Sequence, residues 1–212
     1  MSGVVLYDYR WSSASYRVRI ALNLAGINYS TVSVDLKEGE QKSTSHLVRN
    51  PQGLVPVLEI DGLRLTQSLA IIDYLDQTRG LVLLPTEPAE RAKSLALAQS
   101  IAVDVHPVCN LSVAQYAAAL SENADDMPGE WMRHFIRPGL LAFETLLASF
   151  DQAPYCTGAK PGLADLCLVP QLYNARRWDV DLSGLPRILS VEAACAAHPS
   201  FAEAHPDANA PA

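Results

Sequence analysis

The sequence predicts a small α/β domain with a mixed sheet, followed by an all-helical domain. Strand-like and helix-like runs alternate through the first eighty residues, and Asp61-Gly62 sits between two short apolar runs. Beyond the Pro-punctuated connector Leu84-Pro85-Thr86-Glu87-Pro88 no further convincing strand follows.

Val4-Val5-Leu6-Tyr7 is a β-rich run ending near Asp8. Ser12 and Ser13 are N-cap residue types, and Ala14, Val18, Ala21, Leu22 and Ala25 then recur with helical spacing until Gly26 stops the pattern. Tyr29 to Leu36 alternates as a second strand, so the opening is a β-α-β unit with parallel strands. Lys37 to Arg49 is polar and shows no period. Val55 to Ile60 and Leu63 to Thr66 form a hairpin about Asp61-Gly62, and Gln67 to Arg79 reads as a helix with Leu69, Ile72 and Leu75 on one period. The order β-α-β then β-β-α is that of a thioredoxin-like domain, placed at residues 1–83.

Residues 89–212 are expected to form a helical bundle. Glu90 to about Ala119 reads as one long helix bent at Pro107, followed by helices over Glu130–Phe150, Leu163–Arg177 and Pro186–Ala197. The tail His205–Ala212 is small and polar, which predicts a frayed end.

Hydrophobic residues make up 49% of the 212, enough to build a core. Sixteen Lys and Arg against 23 Asp and Glu leave a net charge of −7, which argues against nucleic acid or an anionic membrane as partner. No apolar run reaches the ~18 residues of a membrane span, and Asp8 interrupts the place of a signal peptide, so a soluble cytoplasmic protein is expected. Cys109, Cys156, Cys167 and Cys195 are widely spaced, with no C-x-x-C pair and no His at a ligand spacing. Neither a disulfide scaffold nor a metal site is expected from them.

Three segments carry residues suited to chemistry. Tyr9-Arg10-Trp11-Ser12-Ser13-Ala14-Ser15 leads from a strand into a helix bearing Arg17 and Arg19, where first-turn amides and hydroxyls favour an anion. Asn50-Pro51-Gln52-Gly53-Leu54-Val55-Pro56 leads into a strand, and Thr66-Gln67-Ser68 begins a second helix with an amide and a hydroxyl. Each segment alone reads equally as a turn or an ordinary cap.

Taken in order, the three resemble the glutathione-binding domain of the glutathione transferases, and more narrowly their zeta class. Ser12-Ser13-Ala14-Ser15-Tyr16-Arg17-Val18-Arg19-Ile20-Ala21-Leu22 is similar to that class's S-S-C-S-x-R-V-R-I-A-L signature. The likeness returns at Asp104-Val105-His106-Pro107, Asn110-Leu111-Ser112, Ala164-Asp165-Leu166-Cys167-Leu168-Val169-Pro170-Gln171 and Asn174-Ala175-Arg176-Arg177-Trp178. The resemblance implies the glutathione transferase fold, a homodimer, a cis bond at Val55-Pro56, and glutathione as cofactor. The tripeptide would be held by Ser12, Ser13, Ala14, Ser15, Tyr16 and Arg17, by Gln41, by the backbone of Val55, by Gln67 and Ser68, and by His106, Asn110, Leu111 and Ser112. It implies maleylacetoacetate isomerase activity in tyrosine and aromatic catabolism, yielding fumarylacetoacetate. Alternatives are maleylpyruvate isomerisation, glutathione transfer to α-halo acids, or a non-catalytic dimeric module.

In that chemistry a thiolate adds to a cis double bond, the new single bond rotates, and expulsion of the thiolate restores the alkene in the trans form. The implied catalytic residues are Ser12, which hydrogen-bonds the sulfur, Ser13 beside it, and Arg177 and Arg10, which grip carboxylates of a keto diacid substrate. Arg176 competes with Arg177. Ala14 stands where the family signature has cysteine, so no protein nucleophile is expected there. Asp165 reads as a buried structural acid whose capping partner position is Gly162.

Overall fold

The computed structural model describes residues 3–122, 125–150 and 154–209. The chain divides into two compact units, one running up to Val82 and resuming from His198, the other Leu83–Ala197.

In the first unit β1 (Val4–Asp8) runs parallel to β2 (Tyr29–Ser33) and antiparallel to β3 (Val57–Ile60), which pairs antiparallel with β4 (Leu63–Thr66). The strand order is β2-β1-β3-β4, the mixed sheet expected from the sequence. Leu6, Val57 and Leu58 on the two central strands are fully buried. β2 stops three residues short of the expected Leu36. The Asp35 carboxylate accepts the Lys37 amide at 2.8 Å and turns the chain out of the sheet. Asp61 and Gly62 both adopt positive φ, 53° and 77°, as a two-residue hairpin turn requires. The Val55-Pro56 bond is cis.

Helix α1 (Ser13–Leu24) is buried at every residue from Ser13 to Leu22 and packs against α3 (Ser68–Arg79) and α10 (Pro199–Ala204). Burial on all sides includes two arginines. Arg19 is fully buried and meets three acceptors: its Nη1 pairs with Asp8 at 2.6 Å, its Nε donates to the Ala204 carbonyl at 3.0 Å, and its Nη2 donates to the Arg10 carbonyl at 2.9 Å. The polar stretch after β2 contains a 3-10 turn over Glu40–Lys42 and the short helix α2 (Thr44–Leu47), capped by Ser43.

The tail departs from the sequence expectation. As far as Asn209 it is held on the first unit, with the His205 ring edge-on to Tyr16 at 6.1 Å and Asn209 Nδ2 donating to the Glu203 carbonyl at 2.8 Å. α10, which precedes this tail, packs on α1, and composition alone does not reveal the buried acceptor at Ala204 that Arg19 needs. Residues 210–212 lie outside the described residues. The second compact unit ends at Ala197.

In the second unit the single helix expected over 90–119 is several pieces. These are α4 (Pro88–Gln99), a π-helical segment Ser100–Val105, α5 (His106–Val108) and α6 (Leu111–Ala119). Pro107 falls in the first turn of α5, where its missing N–H is tolerated, and the break comes at Asn110, which starts a new helix as its cap. The π-helical segment packs on α7 (Met127–Leu147) at Gly139. A Cβ there would lie 2.3 Å from Val105 Cγ2, so the close approach demands glycine. α8 (Leu163–Arg177) keeps its expected bounds, and α9 (Pro186–Ala196) ends one residue early. Asp165 is structural, as read from the sequence: its carboxylate accepts the amides of Gly162 and Cys156 at 2.8 and 2.9 Å. Gly162 has no side chain to complete a capping box, and the Cys156 amide takes up the carboxylate's second oxygen.

Arg19→Met leaves Asp8 buried without its partner and is expected to lower the unfolding free energy by about 3–5 kcal/mol, seen as a reduced urea midpoint at unchanged slope. The double variant Asp8→Leu/Arg19→Met removes both charges and is expected to recover part of that loss.

Candidate functional site

The site is built where β1 gives way to α1. The Ser12 amide closes a turn by donating to the Tyr9 carbonyl at 2.8 Å, and Ser12 caps α1 with its Oγ accepting the Ser15 amide at 3.2 Å. That bond uses an acceptor lone pair, and a hydroxyl also carries one donor proton. The cap reading and the donor reading of Ser12 are thus compatible. The positive end of the helix dipole lies at the same place.

Arg17 joins this helix to the second helix start. Its guanidinium is 1% exposed and its Nη1 donates to Ser68 Oγ at 3.3 Å. Gln67, immediately before α3, has φ 68° and ψ 112°, a conformation costly for a side-chain-bearing residue, by about 1–3 kcal/mol. Its Nε2 donates to Gln52 Oε1 at 2.8 Å, so the strained residue is tied to the turn before β3. On the other side of that turn a Cβ on Gly53, which has φ 63°, would lie 3.2 Å from the Gln41 carbonyl. Gln41 Nε2 donates to the Leu36 carbonyl at 3.4 Å, while its buried Oε1 has no protein partner. A chain of contacts thus runs from Arg17 through Ser68, Gln67 and Gln52 to the turn carrying Gly53 and Val55, with Gln41 against it.

The run Ser12 to Arg17 does not face one ligand as a block, because a helix turns about 100° per residue. Tyr16 is 2% exposed, edge-on to His205, with the Arg19 guanidinium 5.2 Å above its ring. Its side chain serves packing. Ser13, Ala14 and Ser15 are also buried, and Ser15 Oγ has no protein partner. Arg10 lies over the Trp11 ring at 4.4 Å, and Lys37 approaches the same ring at 5.1 Å. No motif or period in the sequence points to Lys37. It arrives because the chain after β2 stays beside β1, with the Val34 amide donating to the Asp8 carbonyl at 2.8 Å.

In the second unit His106 is half-buried at the start of α5. Asn110 Oδ1 accepts from the amide and hydroxyl of Ser112 at 3.1 and 3.0 Å, Leu111 between them is half-buried, and the Val108 carbonyl is held by Trp131 Nε1 at 2.8 Å. Arg176 is engaged by Glu192 through both of that residue's carboxylate oxygens, whereas exposed Arg177 stands outside that pair at the end of α8. The chain beyond Arg177 is held from α7, where Arg133 donates to the Trp178 carbonyl at 3.4 Å and Arg137 to the Ser183 carbonyl at 2.8 Å.

All four cysteines are buried. Burial pushes the Cys109 thiol up to about 11 and raises those of Cys156 and Cys195 as well. A thiolate at these three is therefore disfavoured at neutral pH.

Residues 2–77 match the family model described as glutathione S-transferase, N-terminal domain. Maleylacetoacetate isomerase of Rhizobium meliloti (strain 1021) is 54% identical over 204 residues, covering 96% of each chain. A solved structure described as a maleylpyruvate isomerase, a bacterial glutathione S-transferase in the zeta class, superposes with a TM-score of 0.90 at 38% identity, over 96% of this chain and 97% of that one. Maleylacetoacetate isomerase from Anaeromyxobacter dehalogenans 2CP-1, solved with dicarboxyethyl glutathione and citrate in its active site, superposes with a TM-score of 0.84 at 38% identity, over 97% and 91%.

The cysteine environments give a direct check. At pH 7 the native protein is expected to react with an aromatic disulfide reagent at least tenfold more slowly than the same chain in denaturant, where all four thiols are released.

Proposed function

This chain belongs to the zeta-class glutathione transferase and maleylacetoacetate isomerase family, and from that premise we propose that it is a glutathione-dependent cis-trans isomerase converting maleylacetoacetate to fumarylacetoacetate. One observation supports this above the rest. Ser12 keeps a donor proton at the start of α1, while burial raises the thiols of Cys109, Cys156 and Cys195. When bound, glutathione supplies the thiolate that adds reversibly to the cis double bond, so that the bond turns as a single one.

Glutathione fits the residues present. It is a peptide with two carboxylates, and the first unit offers two helix starts, a buried guanidinium at Arg17, an unpartnered acceptor at Gln41 Oε1 and the backbone of Val55 ahead of β3. Gln67 and Ser68 would take its γ-glutamyl end and Val55 its cysteinyl backbone. Ser12 would donate to the sulfur, with Ser13 supporting it, and backbone groups of Ala14 through Arg17 would complete the cradle. A hydrogen bond to a charged group contributes about 1.5–3 kcal/mol and a helix N-terminus about 0.3–1 kcal/mol, so the hydroxyl is the larger lever on the thiol pKa. Each pKa unit corresponds to about 1.4 kcal/mol. His106, Asn110, Leu111 and Ser112 are assigned to glutathione as well.

The substrate's carboxylates are assigned to Arg177 and Arg10. Of the two neighbours the family likeness carries this role to Arg177, and Arg176 pairs with Glu192. The dicarboxyethyl glutathione seen in the Anaeromyxobacter relative is a glutathione carrying a four-carbon diacid unit, which agrees with a diacid substrate here. A second reading, maleylpyruvate isomerisation, is favoured by the zeta-class structure of that activity. A homodimer, a cytoplasmic location and a place in tyrosine breakdown complete the proposal; among the described residues no helix is long and apolar enough to cross a membrane.

Ser12→Ala is expected to lower kcat about 100-fold while the KM for glutathione changes little, in keeping with loss of one preorganised donor. Turnover of maleylacetoacetate and of maleylpyruvate should be compared with and without added glutathione. Full activity in thoroughly glutathione-free protein would overturn the proposal, and a faster rate on maleylpyruvate would select the second reading.

A further inference from the structure

Two buried polar side chains converge on one carbonyl next to the proposed cofactor site. Asn50 and His46 are each 2% exposed. Asn50 Nδ2 donates to the Leu54 carbonyl at 2.8 Å, and His46 Nε2 lies 3.0 Å from the same oxygen. A carbonyl oxygen only accepts, so His46 Nε2 carries the proton and donates. Both lone pairs of one carbonyl are thereby used by side chains, an unusual concentration for a surface turn. His46 keeps this arrangement although its other ring nitrogen, Nδ1, is buried without a partner. A buried polar atom left unsatisfied is a cost that calls for a reason.

The reason offered by the geometry lies in the peptide unit. Leu54 C=O and Val55 N–H belong to one planar peptide group, which is not among the cis bonds, so the two bonds point in opposite directions. Fixing the carbonyl with two donors fixes the amide with it and turns it away from His46 and Asn50. Val55 N–H makes no hydrogen bond among the described residues. Asn50 also shapes the turn that carries this peptide, with its Oδ1 accepting the Gln52 amide at 3.1 Å and its carbonyl accepting the Gly53 amide at 2.9 Å. His46 is itself fixed by the Ser43 cap, whose Oγ accepts the His46 amide at 3.3 Å.

We infer that Asn50 and His46 are positioning residues for glutathione: by clamping the Leu54 carbonyl they aim the Val55 amide at the cysteinyl part of the tripeptide. This rests on the assignment of glutathione to Val55 made above. Neither residue touches the sulfur or the substrate, so both act on cofactor affinity and leave the chemical step alone.

Asn50→Asp separates the clamp from the turn, because Asp keeps the acceptor for the Gln52 amide and sets an oxygen where the donor to Leu54 was. Its KM for glutathione is expected to rise about tenfold, with kcat at saturating glutathione within about twofold of the parent. His46→Phe keeps an aromatic ring in a buried place and removes the donor to Leu54; a rise of about threefold in the same KM is expected. A KM within error of the parent in a folded Asn50→Asp protein overturns the inference, as does a fall in kcat at unchanged KM. If Asn50→Asp does not fold, His46→Phe decides alone, an unchanged KM counting against the clamp. The parent protein separates this from the cofactor assignment: activity that does not saturate with glutathione sinks that assignment, whereas normal saturation with unaffected variants sinks only the clamp.

Discussion

The first unit depends on one fully buried arginine. Arg19 sits on α1 and meets the carboxylate of Asp8 at the end of β1, the carbonyl of Arg10 in the following loop and the carbonyl of Ala204 at the end of α10. A guanidinium presents donors in a fixed plane, so three acceptors from three segments must take up one mutual geometry to satisfy it. One of those segments leads directly into Ser12. The position of the candidate nucleophile-activating hydroxyl is thus tied to a charge that the protein interior tolerates only when its partners are all present.

The functional groups of this unit share a second physical feature: most are polar atoms at the starts of helices or in the turn before β3. Ser12 caps α1 and Ser68 begins α3, where first-turn amides lack intrahelical acceptors. The buried guanidinium of Arg17 bridges from one helix to the other start. An anionic tripeptide suits such surroundings, in a chain whose overall charge is −7. Local dipoles and one buried cation set the field that matters here, and the acidic residues elsewhere do not decide what the site prefers.

Most of the architecture was legible from the residues. The Asp61-Gly62 hairpin, the β-α-β opening and α8 follow from short-range turn chemistry and hydrophobic period, which act within a few residues of the chain. The long helix expected over 90–119 did not survive, because its interruption depends on Gly139 in α7 admitting Val105 at close range and on Asn110 capping a new helix. Ser12, Gln67, Ser68 and Arg177 are candidates through motif likeness, and Asn50 stood in a segment singled out by its turn, whereas Lys37 and His46 carried no signal. Lys37, His46 and Asn50 each acquire their place through a partner that the fold supplies: Trp11 for Lys37, and the Leu54 carbonyl for the other two.

By itself the sequence determined the element order, the mixed-sheet domain, the absence of a suitably placed cysteine at Ala14 and the family likeness, all properties written in neighbouring residues. Tertiary structure alone decided that the tail returns to α1. His205–Ala212 looks frayed when read locally, and the part of it up to Asn209 follows a helix whose Ala204 carbonyl accepts from a buried guanidinium 185 positions earlier in the chain. That dependence is mutual and non-local. The arginine is tolerable inside only once the tail is docked, and the tail is held partly because the arginine is there, so neither half of the interaction is visible without the other.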